Sequence, residues 1–246
     1  MGKADQPLAG KNILITGGAI RIGREIALAA ADAGANVVLH YNTSTAAAEE
    51  TRQAVEAKGV EAQLAQADLS NPSEVKRLVT TASSNGSLYA LINNASIFEA
   101  GELQSTSLEA WNRHIEINLT APFLLSQAFA KVVGKDQEAR IINLLDWRAI
   151  RPSPDHFAYT ISKAGLAALT QASAQALAPN IMVNAIAFGA ILPPSDGGDT
   201  AKVIERVPAG RWAELSEVAA TVRFLLEGPG YITGEIIHLD GGRHLT

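Results

Sequence analysis

From end to end, short apolar runs alternate with longer segments of helical periodicity. The apolar runs are Lys11–Thr16 (KNILIT), Asn36–Tyr41 (NVVLHY), Glu61–Ala67, Ser87–Asn93 (SLYALIN), Ala139–Leu145 (ARIINLL), Ile181–Ala187 (IMVNAIA) and Glu235–Leu239 (EIIHL). They are rich in β-branched and aliphatic residues and bounded by turn formers, which predicts seven strands. Helical spacing predicts helices over Ile20–Ala33, Thr45–Lys58, Pro72 to about Ser84, Leu108–Val133, Phe157–Leu177 and Glu214–Glu227. Gly34 stands where a glycine C-cap belongs, Pro72 opens its helix at a tolerated position, and Pro122 is expected to kink the long fourth helix. Strand–helix alternation with nearly continuous apolar strands implies a parallel sheet covered by helices on both faces. The expected fold is therefore α/β, a doubly wound Rossmann-like domain spanning residues 1–246, with no linker or repeat interrupting it.

Composition narrows the function classes. Hydrophobic residues make up 47% and charged residues 18% of the 246, enough for a large core and too apolar for disorder. Aromatics are only 5%, so the core must be aliphatic. A net charge of −5 argues against nucleic acid as a partner. The absence of cysteine excludes disulfides, thiolate metal sites and a cysteine nucleophile, and fits a reducing, cytoplasmic setting. No apolar run approaches the ~18 residues of a membrane span, and MGKADQPLAGKN does not resemble a signal peptide. Neither a membrane nor a metal is expected as a partner; a small-molecule substrate is.

The turn between the first strand and first helix reads Thr16-Gly17-Gly18-Ala19-Ile20-Arg21-Ile22-Gly23. Glycines allow close backbone approach, and a helix N-terminus offers free N–H groups to a pyrophosphate. The usual G-x-G-x-x-G spacing is absent, and Arg21 stands where a further glycine is common. An arginine there is suited to pairing with a phosphate. The second strand ends His40-Tyr41-Asn42-Thr43-Ser44, without the acid that usually binds ribose hydroxyls. Lacking a carboxylate to repel a 2′-phosphate, this segment favours NADP(H) over NAD, with His40, Asn42, Thr43 and Ser44 as hydrogen-bond donors. Asp68-Leu69 follows the third strand; Asp68 either accepts from an adenine amino group or serves a local helix cap.

Tyr159 and Lys163 open the fifth predicted helix at i and i+4, on one face. A lysine ammonium beside the phenol would lower its pKa and make it a usable acid or base. Asp146 lies thirteen positions upstream at the end of the fifth strand, at the carboxyl edge where ligands bind. Asn93-Asn94-Ala95 ends the fourth strand. Asn118, a mediocre helix former inside a long helix, needs buried partners or a functional water.

Taken in order, Thr16-Gly17 through Gly23, Asp68-Leu69, Asn93-Asn94-Ala95, Asn118, Tyr159/Lys163, Thr233-Gly234 and Asp240-Gly241-Gly242 resemble the short-chain dehydrogenase/reductase family over nearly the whole chain. The resemblance implies strand order 3-2-1-4-5-6-7 and hydride transfer with NADP(H). It implies cofactor contacts from Gly17, Arg21, Ile22, Gly23, Tyr41, Leu69, Asn94, Ala95 and Gly189, besides Tyr159 and Lys163. It assigns Tyr159 as proton donor or acceptor, Lys163 as its partner, and Asn118 to a water relay. A homotetramer built through the helices carrying Asn118 and Tyr159 is also implied.

Most members have serine where this chain has Asp146. A pteridine reductase-like branch has aspartate there, arginine in the glycine loop, a His-Tyr strand end, and a serine and an aromatic after Asn-Asn-Ala. Arg21, His40-Tyr41, Ser96 and Phe98 match it. In that branch the aromatic stacks on a pterin. The resemblance thus implies a dihydropterin-type substrate held by Ser96, Phe98, Asp146, Tyr159 and Arg21. A carbonyl substrate such as a 3-oxoacyl thioester or a sugar-derived ketone is the alternative. Two positions depart from the branch: Thr43 replaces a common arginine, and Phe188-Gly189 replaces Pro-Gly. A substrate lid is expected over about residues 190–206.

Overall fold

The computed structural model describes residues 6–134, 136–193 and 200–246. Seven parallel strands form one sheet in the order β3-β2-β1-β4-β5-β6-β7. They are β1 (Asn12–Ile15), β2 (Asn36–Tyr41), β3 (Ala62–Gln66), β4 (Leu88–Asn93), β5 (Ala139–Asp146), β6 (Ile181–Phe188) and β7 (Ile236–Leu239). The helices are α1 (Arg21–Asp32), α2 (Thr45–Glu56), α3 (Pro72–Ala82), α4 (Leu108–Ile115), α5 (Ala121–Val132), α6 (Phe157–Leu177), α7 (Thr200–Glu205) and α8 (Leu215–Glu227). Every predicted strand, and every predicted helix except the fourth, is present with its ends shifted by at most two residues.

The two faces of the sheet carry separate apolar layers. On one, Ile13, Ile15 and Leu39 pack with Ile26 and Ala30 of α1 and Val222 of α8. On the other, Leu14, Leu91 and Ile141 pack with Val75 and Leu78 of α3 and Leu125 and Phe129 of α5. Burial of both strand faces explains why the strands read as unbroken apolar runs. Helix starts follow local chemistry: Asn71 accepts from the Ser73 N–H ahead of α3, and Ser107 accepts from Ala110 N–H ahead of α4. Glu214 and Glu217 form a capping box on α8.

The fourth predicted helix, Leu108–Val133, is not one element. It splits into α4 and α5 around a wide π-helical turn, Glu116–Thr120. Pro122 has no N–H for the carbonyl four residues back, so the wider turn takes up the break ahead of it instead of a kink at the proline. Asn118 thereby sits in the middle of the wide turn. Short 3-10 turns at Trp147–Ala149 and Arg243–Leu245 and helix α7 were not legible in the pattern. Of the expected lid, residues 194–199 lie outside the described residues. Among the described residues, no helix is long and apolar enough to cross a membrane, and no cluster of His, Cys, Asp and Glu is placed to hold a metal ion.

Candidate active site

Strand order reverses between β1 and β4, and the candidate residues gather at the carboxyl ends of these strands and of β5. The β1–α1 loop is held from three sides. Asn94 Nδ2 donates to the carbonyls of Thr16 (2.7 Å) and Gly17 (3.0 Å). Thr16 Oγ1 accepts from the N–H groups of Asn94 (2.9 Å) and Ala95 (3.0 Å). Gly17 N–H donates to His40 Nδ1 at 3.0 Å, and the other ring nitrogen of His40 meets the Ala67 carbonyl at 3.0 Å. A ring that accepts at Nδ1 and donates at Nε2 is neutral, and burial lowers the His40 pKa in the same direction.

His40 therefore does not serve as the expected phosphate donor. It is 2% exposed with both nitrogens engaged, and it shapes the loop instead. Thr16 enters the sequence reading only as the head of the glycine-loop motif, without a role of its own; the structure shows it tying the loop to the segment after β4. Its only signal is a hydroxyl one position before the paired glycines.

The loop is packed too tightly for side chains. A Cβ on Gly23 would lie 2.1 Å from the Gly17 carbonyl oxygen and 2.7 Å from Asn94 Nδ2, and one on Gly18 would lie 2.9 Å from Leu39. Arg21 adopts φ +52, a left-handed conformation that favours glycine. No side chain caps the start of α1, so its first N–H groups face the loop. Gly189 lies against Asp240, whose Cα would be 2.7 Å from an added Cβ.

Past β2, Asn42, Thr43 and Ser44 are exposed, and no side-chain hydrogen bond from Ser44 caps α2. An open cleft of about 670 Å³ runs from Asn42, Asp68 and Ser70 to Leu108, Asn112 and Glu116. Asp68 Oδ1 accepts from both the N–H and the hydroxyl of Ser70, a local turn role. The same side chain lines the cleft. Leu69 beside it is buried in the core.

Asp146 ends β5 and Tyr159 lies in the first turn of α6. The Tyr159 hydroxyl donates to Asp146 Oδ2 at 3.3 Å. Asp146 Oδ1 accepts from the Arg148 N–H at 2.8 Å. Lys163, one turn along α6, is buried and donates from Nζ to the Leu144 carbonyl at 2.7 Å. Burial lowers its pKa to about 8. Asn118 is fully buried. Its Oδ1 accepts from Ile97 N–H (2.9 Å) and the Ser96 hydroxyl (3.1 Å), while Nδ2 donates to the Ile97 carbonyl (3.0 Å) and Ser162 Oγ (3.1 Å). Its partners are thus protein groups that tie the segment after β4 to α6.

One electrostatic expectation is reversed. Tyr159 is not pulled down by Lys163: burial, and next the Asp146 carboxylate, push its pKa well above that of a free phenol. The opposing cation is Arg148. Lys163 Nζ stands 5.7 Å from the Tyr159 ring centre, with its hydrogen bond directed to the backbone. Asp146 is itself pushed up by burial, against the Arg148 charge.

Phe98 is 53% exposed and meets the Tyr159 ring edge-on, with centres 4.7 Å apart. One of its faces is stacked on His156 at 3.9 Å and 5°. His156 had no signal in the sequence; it precedes α6 with φ +52. Trp147 packs beneath the cations of Arg148 and Arg243, at 4.8 and 4.5 Å.

Comparison with known proteins places the chain in a family. A family model described as enoyl-(acyl carrier protein) reductase matches residues 18–244. A 3-oxoacyl-[acyl-carrier-protein] reductase of Synechocystis sp. is 35% identical, over 93% of this chain and 95% of its own. The NADP complex of FolM alternative dihydrofolate reductase 1 from Brucella canis superposes with a TM-score of 0.90. It is 38% identical and covers 97% of this chain and 96% of that one. A short-chain dehydrogenase from Burkholderia cenocepacia in complex with NADP gives a TM-score of 0.91 at 33% identity, covering 96% and 99%. The chain belongs to the short-chain dehydrogenase/reductase family of oxidoreductases.

Proposed function

We propose that this chain is an NADPH-dependent reductase of a pterin-like heterocycle. The observation that carries the reading is the Tyr159 hydroxyl on Asp146 Oδ2, with the half-exposed Phe98 ring set edge-on to Tyr159. A flat heterocycle has a π-face for Phe98 and N–H groups for a carboxylate acceptor. Likeness to the Brucella canis FolM alternative dihydrofolate reductase supports it.

The residues fit a dinucleotide. The cradle of Gly17, Gly18 and Gly23 is one that a Cβ would fill, and it abuts the uncapped start of α1. Gly17, Ile22, Gly23, Asn94 and Ala95 would line the pyrophosphate and neighbouring segments, Tyr41 the β2 edge, and Gly189 the β6 edge. Arg21, Asn42, Thr43 and Ser44 would meet phosphate oxygens. The cofactor, when bound, supplies a hydride. Tyr159 gives its proton to the substrate nitrogen, and the Arg148 charge favours the resulting phenolate. Asp146 accepts from substrate N–H groups, Ser96 and Phe98 hold the ring, and Asn118 fixes the segment bearing them. A homotetramer belongs to the same reading: Phe123 of α5 and Ile161 of α6 are exposed apolar residues on the helices concerned. The mass in solution tests that assembly.

A 3-oxoacyl thioester is the second reading. Asp146 pushed up by burial could hold a proton and donate to a ketone oxygen, and the Synechocystis relative bears that activity in its name. Loss of NADPH absorbance with dihydrobiopterin or dihydrofolate, at a kcat/KM at least tenfold above that for an acetoacetyl thioester, is the expected result. The opposite preference overturns the heterocycle reading.

Arg21→Gly separates strain from binding. Glycine adopts φ +52 at no steric cost, so the ligand-free variant should gain about 1 kcal/mol. At this chain length that is about 2–4 °C in Tm. NADPH binding should weaken about tenfold through loss of a charge-assisted contact. Differential scanning calorimetry and NADPH fluorescence titration check the two effects.

A further inference from the structure

Arg148 moves no proton in the reading above, yet its backbone and side chain are both built onto Asp146. Its backbone N–H (2.8 Å) and Nη1 (3.4 Å) both meet Asp146 Oδ1. The other carboxylate oxygen, Oδ2, is thereby left to the Tyr159 hydroxyl at 3.3 Å. The guanidinium is anchored from behind: Nη2 lies 2.8 Å from Asp155 Oδ2. Asp155 is braced in turn by the Ser153 hydroxyl and by His156 Nδ1 at 3.1 Å. Trp147 and Phe98 flank the cation at 4.8 and 5.7 Å. The Arg148 and Asp146 side chains are only 16% and 15% exposed, so solvent screens their interaction weakly.

The charged and titratable groups facing Asp146 come from every element around it. Arg148 lies on the turn after β5, and Tyr159 and Lys163 lie on α6. Beyond Arg148 stand Asp155 and His156 of the loop before α6. Arg243 reaches Trp147 from the C-terminal turn. Phe98, from the segment after β4, contributes only an apolar ring and its stack on His156. Arg148 is the cation hydrogen-bonded to Asp146; the Lys163 ammonium is committed to the Leu144 carbonyl.

An ionised Asp146 only accepts hydrogen bonds; a protonated one donates. The first suits ring N–H groups, the second a ketone oxygen. We propose that Arg148 is a positioning residue that keeps Asp146 ionised with Oδ2 turned to Tyr159, selecting substrates with N–H donors over bare ketones. The inference rests on the reading that Asp146 faces substrate. Burial drives Asp146 toward its neutral form, and the Arg148 charge and hydrogen bonds oppose it. Without the Arg148 side chain, burial is opposed only by the residue-148 backbone N–H and the Lys163 charge.

The test has a readout that does not need turnover. In aspartate-labelled protein, the Asp146 carboxyl is titrated by carbon-13 NMR and assigned by its loss in Asp146→Asn. Arg148→Met should raise its midpoint by about one pH unit or more, a tenfold gain in proton affinity. Arg148→Lys, which keeps the charge, should recover at least half of the shift. The ratio of kcat/KM for dihydropterin to that for an acetoacetyl thioester should fall at least tenfold in Arg148→Met. Should that variant not fold, Arg148→Gln carries the same expectations. An unchanged midpoint in either folded variant overturns the proposal. A moved midpoint in an enzyme that turns over neither substrate sustains the electrostatic role of Arg148 and sinks the functional reading instead.

Discussion

Replacing Tyr159 by phenylalanine is expected to lower kcat by about 10²–10⁴ while leaving NADPH affinity within a factor of about two, as loss of a positioned general acid should. The hydroxyl donates to Asp146, and burial pushes its pKa well above that of a free phenol, which favours the protonated form. Phenylalanine keeps the edge contact with Phe98 and removes only the oxygen. The variant should be nearly as stable as the parent, because the lost hydrogen bond is long and contributes about 1 kcal/mol or less. Steady-state kinetics, a fluorescence titration with NADPH and a melting curve together make the test. Retention of more than a tenth of the parent kcat, with either substrate class, would remove Tyr159 from the chemistry.

This prediction draws on residues that the sequence already marked. The Tyr159/Lys163 spacing, Asp146 at a strand end and the glycine loop were visible because a parallel α/β sheet converts chain order into place. Whatever follows a strand arrives at the same edge. The strands themselves were legible because both of their faces are buried, leaving little polar interruption. Side-chain direction was not legible. His40 reads as a phosphate donor at the end of the second strand, but its ring turns inward, where the Gly17 N–H and the Ala67 carbonyl take both nitrogens. Lys163 was expected to serve the phenol, but a buried ammonium takes the nearest acceptor, the Leu144 carbonyl. Residues that act by closing long loops in space, such as Thr16 on the segment after β4 and His156 on Phe98, leave no periodicity to read. The wide turn at Glu116–Thr120 had a partial signal in Pro122, but a missing N–H says that the helix must yield without saying on which side.

Gly23→Ala should damage the protein more than its one methyl group suggests. The added Cβ would lie 2.1 Å from the Gly17 carbonyl oxygen, 2.9 Å from its carbon and 2.7 Å from Asn94 Nδ2. Two of these atoms are backbone, so no rotamer change relieves the overlap. Gly17 is itself pinned, by His40 on its N–H and by Asn94 on its carbonyl. Either the α1 start lifts away from the loop or the Asn94 hydrogen bonds break. Overpacking of this kind costs about 1–3 kcal/mol, equivalent to roughly 2–12 °C in Tm for a chain of this length. Binding should suffer further, because the displaced atoms are those that would cradle a pyrophosphate. NADPH affinity is expected to drop at least about a hundredfold, some 2.7 kcal/mol. Isothermal titration on the folded variant separates this loss from the stability change. An alanine variant that binds NADPH as the parent does would show that the glycine loop is only a tight turn.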